Sequence, residues 1–210
     1  MSSTGKYDAF AGEFTAHEYG DPERYFRHRA EIVLRLGPRV GAGERVVDLA
    51  CADGSFALPL IEAGLEYTGV DLSGPMVEVA SARVGGRGRV ELGDLTSWVP
   101  PQPVALTTCF RSLHFVPDRE AWFRHLASFT EKKVVFDVSP RRIPLTTLRR
   151  EAATAGLDRF DVHPFLLPQH GRLPSPVAAA LQLLEATGPV ARALLRVRFV
   201  AICAASRAQP

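Results

Sequence analysis

The stretch Val46-Val47-Asp48-Leu49-Ala50-Cys51-Ala52-Asp53-Gly54-Ser55-Phe56 constrains the fold of this chain more than any other. Val46 to Ala50 is a short apolar run and reads as a buried strand. Small residues and one glycine follow, and a helical pattern runs from Ser55 to Ala63. Strand, tight turn and helix in that order bring bare backbone N–H groups and a helix N-terminus up to a ligand. About twenty residues on, a second apolar run, Tyr67-Thr68-Gly69-Val70, ends in Asp71. In a βαβ unit an acid at that point lies beside a ribose diol. The two features together specify a nucleoside-binding α/β domain.

The rest of the chain keeps the same alternation. Strands are expected at Arg45–Leu49, Glu66–Val70, Arg89–Leu92, Val104–Phe110 and Lys133–Val138. Helices are expected at Pro22–Leu36, Ser55–Ala63, Gly74–Arg83 and Asp118–Phe129, with Asp21 and Ser73 as N-caps. Strand–helix alternation of this kind argues a parallel sheet covered on both faces. In the tail, Ile143–Gly156 reads as a helix, Arg159–Leu167 as a strand and Val177–Thr187 as a helix. The apolar run Ala193–Ala205 reads as the last strand. With 210 residues, a single domain over 1–210 is expected.

Asp48 to Gly54 resembles the first motif of the class I S-adenosylmethionine-dependent methyltransferases, a D-x-G-x-G-x-G loop. Gly69-Val70-Asp71-Leu72-Ser73, with Met76 behind it, resembles the second motif, and Gly93-Asp94-Leu95 the third. The resemblance covers roughly Tyr7 to Pro140. It implies a Rossmann-like α/β three-layer sandwich, with a mostly parallel seven-stranded sheet and an antiparallel C-terminal strand. It also implies S-adenosylmethionine as cofactor. Residues 1–40 then form a helical leader or lid, and 167–192 an inserted loop and helix before the last strand. Two glycines of the family loop are Ala50 and Ala52 here. Because alanine resists positive φ, the loop is expected to use negative φ at both.

Ligand grooves in open α/β sheets lie at the carboxyl ends of the strands, which yields the candidate site. The cofactor residues are Tyr7, Asp48, Ala50, Cys51, Ala52, Gly54, Asp71, Leu72, Met76, Asp94, Leu95, Phe110 and Arg111. Tyr7 enters because Tyr7-Asp8-x-Phe10-Ala11 resembles the leader of small-molecule methyltransferases. Asp48 would face the sulfonium and amino end, or else accept from turn N–H groups. Asp71 would accept from both ribose hydroxyls, with a helix cap as the plainer role. Asp94 would meet the adenine amino group, or be a turn acid. His114, in Arg111-Ser112-Leu113-His114-Phe115-Val116-Pro117-Asp118, is the catalytic candidate: a neutral imidazole there can take a proton from an acceptor hydroxyl. An orienting or packing histidine is the competing reading. His17, His28, His163 and His170 are alternatives, and His125 is expected at the surface.

A net charge of +2 does not argue for nucleic acid. Three cysteines without metal-ligand spacing read as buried reduced thiols. No membrane-length apolar stretch and no secretory h-region is present, so a cytoplasmic location is expected. The expected partner is a small-molecule methyl acceptor, methylated on oxygen or nitrogen in specialised biosynthesis. Neither nucleic acid nor membrane is expected, and the oligomeric state is open, a homodimer included. Two other classes remain. One is a cofactor-binding protein of this fold without methyl transfer. The other is an NAD-type oxidoreductase, which the lack of G-x-G-x-x-G in a loop with a single glycine disfavours.

Overall fold

The computed structural model describes residues 11–195 and 199–208. Seven strands form one sheet: β1 (Arg45–Leu49), β2 (Glu66–Asp71), β3 (Arg89–Leu92), β4 (Val104–Cys109), β5 (Thr130–Val138), β6 (Arg159–Phe165) and β7 (Val200–Ser206). Their spatial order is β3-β2-β1-β4-β5-β7-β6. β7 runs antiparallel to both neighbours, and the β1, β2, β3, β4 and β5 pairings are parallel. The α/β fold with a mostly parallel seven-stranded sheet is therefore as the resemblance implied. From edge strand β3 the chain crosses back to lay β4 beside β1. That reversal opens a crevice at the carboxyl ends of β1 and β4, where such sheets take ligands.

The period-two rule distributes the strand side chains. In β1, Val46 packs with Phe26, Val33, Phe56 and Leu60 on one face. Val47 and Leu49 pack with Trp122, Phe123, Leu126 and Leu148 on the other. The first face is covered by α2 (Pro22–Arg35) and α3 (Ala57–Glu62), the second by α5 (Arg119–Ala127) and α6 (Leu145–Ala153). β4 is buried along its whole length, as expected of a strand between two covered faces. Short α1 (Phe14–Glu18) precedes α2, and α4 (Gly74–Val84) follows β2. The Asp21 carboxylate accepts from Arg24 N at 3.3 Å and the Ser73 hydroxyl from Met76 N at 3.3 Å, so both expected N-caps form.

The tail departs from expectation. The run read as one strand over Ala193–Ala205 is divided: α8 (Pro189–Leu195) ends before it and β7 begins at Val200. Ala191 and Leu195 are buried at helical spacing, and periodicity alone does not separate a short buried helix from a buried strand. The preceding helix, α7, spans Ser175–Glu185 and not Val177–Thr187. The first crossover helix begins at Ala57, two residues later than expected, with Pro59 in its first turn. Among the described residues no helix is long and apolar enough to cross a membrane.

Lys133 sits in the middle of β5 and is fully buried. Its ammonium donates to the carbonyls of Leu34 (3.3 Å) and Leu36 (2.7 Å) at the end of α2. It thus satisfies acceptors that a helix leaves open, where positive charge is favoured. Burial pushes its pKa down to about 8. Replacing Lys133 by Met should lower the unfolding free energy by about 1–3 kcal/mol, because the two carbonyls lose their donor; urea denaturation at pH 7 measures this.

Candidate functional site

The turn after β1 carries three left-handed residues at alternate positions: Ala50 (φ 58°), Ala52 (φ 49°) and Gly54 (φ 73°). The expectation of negative φ at the two alanines is therefore wrong. An alanine in that region costs about 1–2 kcal/mol, and hydrogen bonds from β2 hold it there. Cys51 N donates to Val70 O at 3.0 Å, and Ala52 N donates to the Asp71 carboxylate at 2.8 Å. Asp71 also accepts from Ser73 N at 3.0 Å. Gly54 does not line the cleft; a Cβ there would lie 3.0 Å from Ala80 Cβ, so its role is the close packing of the turn on α4.

Around this turn lies a cleft of about 690 Å³, within the usual size range of small-molecule sites. Asp48, Ala50, Cys51, Ala52, Asp71, Leu72, Met76, Asp94, Leu95, Phe110, Arg111 and His114 all line it. Those twelve expected site residues are brought together. Tyr7 lies outside the described residues. None of His17, His28, His163 and His170 is a cleft residue: His28 instead bonds Glu185 at 2.5 Å, and His163 bonds the Pro164 carbonyl at 2.7 Å. His125 is half-buried and bonds the Trp98 carbonyl at 2.9 Å. The Asp94 carboxylate accepts from both Thr96 N and Thr96 Oγ1, so it makes the turn contact weighed as its plainer role while still facing the cleft.

Two of the cleft's buried charged residues, Asp48 and Arg29, have no ion-pair partner among the described residues. The Asp48 carboxylate accepts from Thr108 Oγ1 at 2.6 Å and from the Tyr67 hydroxyl at 3.1 Å. Gly69 makes room for this cluster, since a Cβ there would approach both Cys51 Sγ and Tyr67 OH to 2.9 Å. Burial raises the Asp48 pKa to about 6, against the lowering by its two hydrogen bonds. Opposite in charge is Arg29, 3% exposed, a residue that the sequence analysis did not single out. Its guanidinium carbon stands 4.3 Å from the Phe110 ring centre and 4.7 Å from that of Tyr25, and Phe26, Phe56 and Phe165 complete an aromatic cage. One terminal nitrogen donates to Tyr25 OH at 2.8 Å, and the buried Nε has no hydrogen-bond partner among the described residues. Burial opposes its charge, but the fields of Tyr25, Tyr19 and Asp137 leave its pKa above the ordinary guanidinium value. A signal for Arg29 did exist. It stands four residues after Tyr25 and three after Phe26, on the apolar face of α2.

The leader closes one side. Thr15 N donates to Asp53 Oδ2 at 3.3 Å, and Asp53 pairs with Arg83 at 2.6 Å. Gly20 N donates to Gln169 O at 2.9 Å, and a Cβ on Gly20 would fall 2.3 Å from the Gly171 backbone. Gln169 Nε2 donates to Glu18 at 3.0 Å. At the other side, after β4, a 3₁₀ turn Leu113–Phe115 presents His114. Burial, Arg142 and Arg111 all lower its pKa, against Asp137. The imidazole is thus held neutral at pH 7 and able to accept a proton. Among the described residues no group of three or more His, Cys, Asp or Glu is placed to hold a metal ion.

Residues 46–133 match a family model described as a methyltransferase domain. A ubiquinone biosynthesis O-methyltransferase of Nitrosospira multiformis is 29% identical over 127 residues, covering 55% of this chain and 53% of that protein. The chain spans about half the length of the curated relatives it matches. One solved structure is a chain of the Haloferax volcanii complex between the Trm112 methyltransferase activator and a methyltransferase. It superposes with a TM-score of 0.67 at 16% identity, over 100% of this chain and 99% of that one. The [4+2]-cyclase SpnF superposes with a TM-score of 0.66 at 16% identity, over 98% and 96%. Likeness at that identity shows the fold, and the reaction has to be read from the site.

The buried carboxylate has a measurable signature. Asp48 has a folded pKa of about 6 against 3.8 for an ordinary aspartate, so between those pH values the folded chain binds more protons than the unfolded one. Its contribution therefore makes stability fall as pH rises through that window, by roughly 3 kcal/mol in all. Asp48→Asn should flatten that slope and raise the unfolding free energy at pH 7.5 by about 1–3 kcal/mol, as measured by urea denaturation across pH 4–8.

Proposed function

We propose that this chain, whose residues 46–133 match a methyltransferase-domain model, binds S-adenosylmethionine and directs its methyl group to an oxygen of a small-molecule acceptor. The observation that carries the proposal is the pair of buried, opposite charges on one cleft. Neither Arg29 nor Asp48 has an ion-pair partner among the described residues. A ligand carrying both a carboxylate and cationic groups answers both, which is the charge pattern of the cofactor's amino-acid end. Uncompensated buried charge is costly, and a bound zwitterion offsets the cost.

Each residue then has a part. The Arg29 guanidinium faces the cofactor carboxylate. Asp48 faces its ammonium and sulfonium. The Asp71 carboxylate, held at the end of β2 by the Ala52 and Ser73 N–H groups, takes the ribose hydroxyls. Leu95 N–H and Asp94 stand at the adenine end. Bound there, the cofactor supplies a methyl on a cationic sulfur that leaves as a neutral thioether. His114 accepts the proton of the attacking hydroxyl and returns it to solvent. The leader and the 167–192 segment, joined through Gly20–Gly171 and Glu18–Gln169, form a lid that excludes water. Support for oxygen as target comes from His114 and from the O-methyltransferase name of the relatives. Specialised biosynthesis and a cytoplasmic location belong to the same proposal.

Calorimetry with S-adenosylmethionine and with NAD tests the cofactor. Binding of the first and not the second is expected, and the reverse would overturn the proposal. Asp71→Ala should weaken cofactor binding by about 10–100-fold, the worth of one or two charge-assisted hydrogen bonds; thermal unfolding of the free variant checks that it folds. His114→Gln should lower turnover by about 10²–10⁴-fold at saturating cofactor. Full turnover in that variant would return His114 to a positioning role. Bound cofactor that labels no hydroxylated metabolite would favour a binding protein without transfer.

A further inference from the structure

Three acids of the cleft are engaged by the protein itself. Asp53 pairs with Arg83, Asp71 accepts from two backbone N–H groups, and Asp94 accepts from Thr96. The far wall, at the ends of β4 and β5, is different. There Arg111 and Arg142 line the cleft with His114, both close enough to act on its titration. Neither guanidinium has an ion-pair partner among the described residues, where the eight pairs formed all use other cations.

Arg111 is also held in a strained backbone. Its φ is 58°, the left-handed region that a long side chain rarely adopts. The Asp137 carboxylate fixes it there by accepting from Arg111 N at 2.6 Å, so the acid in reach is bonded to the main chain. Strain of that sort persists where the fold over-determines a functional geometry. In the same cleft the ring centres of His114 and Phe115 stand 3.9 Å apart, with Phe115 41% exposed. Two cations without an ion-pair partner among the described residues, a proton acceptor within reach of both fields and an exposed aromatic face make a site for a planar anion.

Resting on the cofactor reading above, we infer that the methyl acceptor is a small aromatic hydroxy compound bearing an anionic oxygen group, carboxylate or phosphate. Arg111 and Arg142 hold that group while the hydroxyl faces His114. Arg111 and Arg142 are thus specificity residues, distinct from the pair that binds the cofactor. Guanidinium forks suit either anion, since both present oxygens for parallel N–H donors.

The test is equilibrium binding of three matched probes to the protein saturated with S-adenosylhomocysteine: 3-hydroxybenzoate, 3-hydroxyphenyl phosphate and neutral 3-hydroxybenzamide. At least one anion should bind ten-fold or more tightly than the amide, and which anion wins identifies the group. Arg142→Gln should reduce that preference to about three-fold or less. Arg142→Glu should make 3-hydroxybenzylamine the better ligand. Equal binding of all three probes by the unmodified protein, or an anion preference untouched by both Arg142 variants, would overturn the inference. Cofactor titration in the same samples separates the two readings: if S-adenosylhomocysteine fails to bind, the cofactor proposal falls, and the probe comparison on the free protein still decides the anion site.

Discussion

One hydrogen bond, from Ala52 N to the Asp71 carboxylate, ties the site to the sheet. It links the turn after β1 to the end of β2, the two parallel strands that meet there. Without it only the Cys51 N–Val70 O bond would tie the left-handed turn to β2. The same carboxylate also accepts from Ser73 N, just where α4 begins. A single acid therefore sets the loop, the helix start and, in the proposed function, the ribose. The order of the sheet makes that economy available, because β1 lies between β2 and β4 at the crevice.

The fold was legible because its evidence is local. The apolar runs at Val46–Leu49 and Tyr67–Val70, the caps at Asp21 and Ser73, and the regular alternation each depend on neighbours in sequence. The division between α8 and β7 was not legible, since a short apolar run satisfies helix and strand alike. Most of the cleft wall was legible for a related reason: strand ends mark it, and strand ends were readable. The φ values of Ala50 and Ala52 were not. Intrinsic preference points to negative φ, and the tertiary bonds that reverse the outcome come from residues some nineteen positions away. Arg29 went unread because a cation on an amphipathic helix is ordinarily solvent-facing, and only the angular position beside Tyr25 and Phe26 says otherwise. Arg142 carries no sequence signal at all; the turn after β5 delivers it.

Charge is sorted along the cleft. Asp48, Asp71 and Asp94 stand beside the first three strands, and Arg111 and Arg142 stand beyond the fourth and fifth. Low-dielectric walls make such sorting count for more than it would at an open surface. The fold accepts a cost for it: a carboxylate buried at Asp48, a guanidinium orphaned at Nε, and backbone strain at three non-glycine residues. Features that weaken the free protein gather at one place, as they do where binding is the purpose.

The position of β7 has a bearing on how the chain is made. Among the described residues β6 pairs only with β7, and β7 fills the gap beside β5. As the polypeptide leaves the ribosome, β6 therefore waits with both flanks bare, and the growing sheet ends at β5. Insertion of the narrow, alanine-rich final strand seals the gap. Such a late, non-local closure slows maturation and leaves an adhesive flank open to other nascent chains in the meantime.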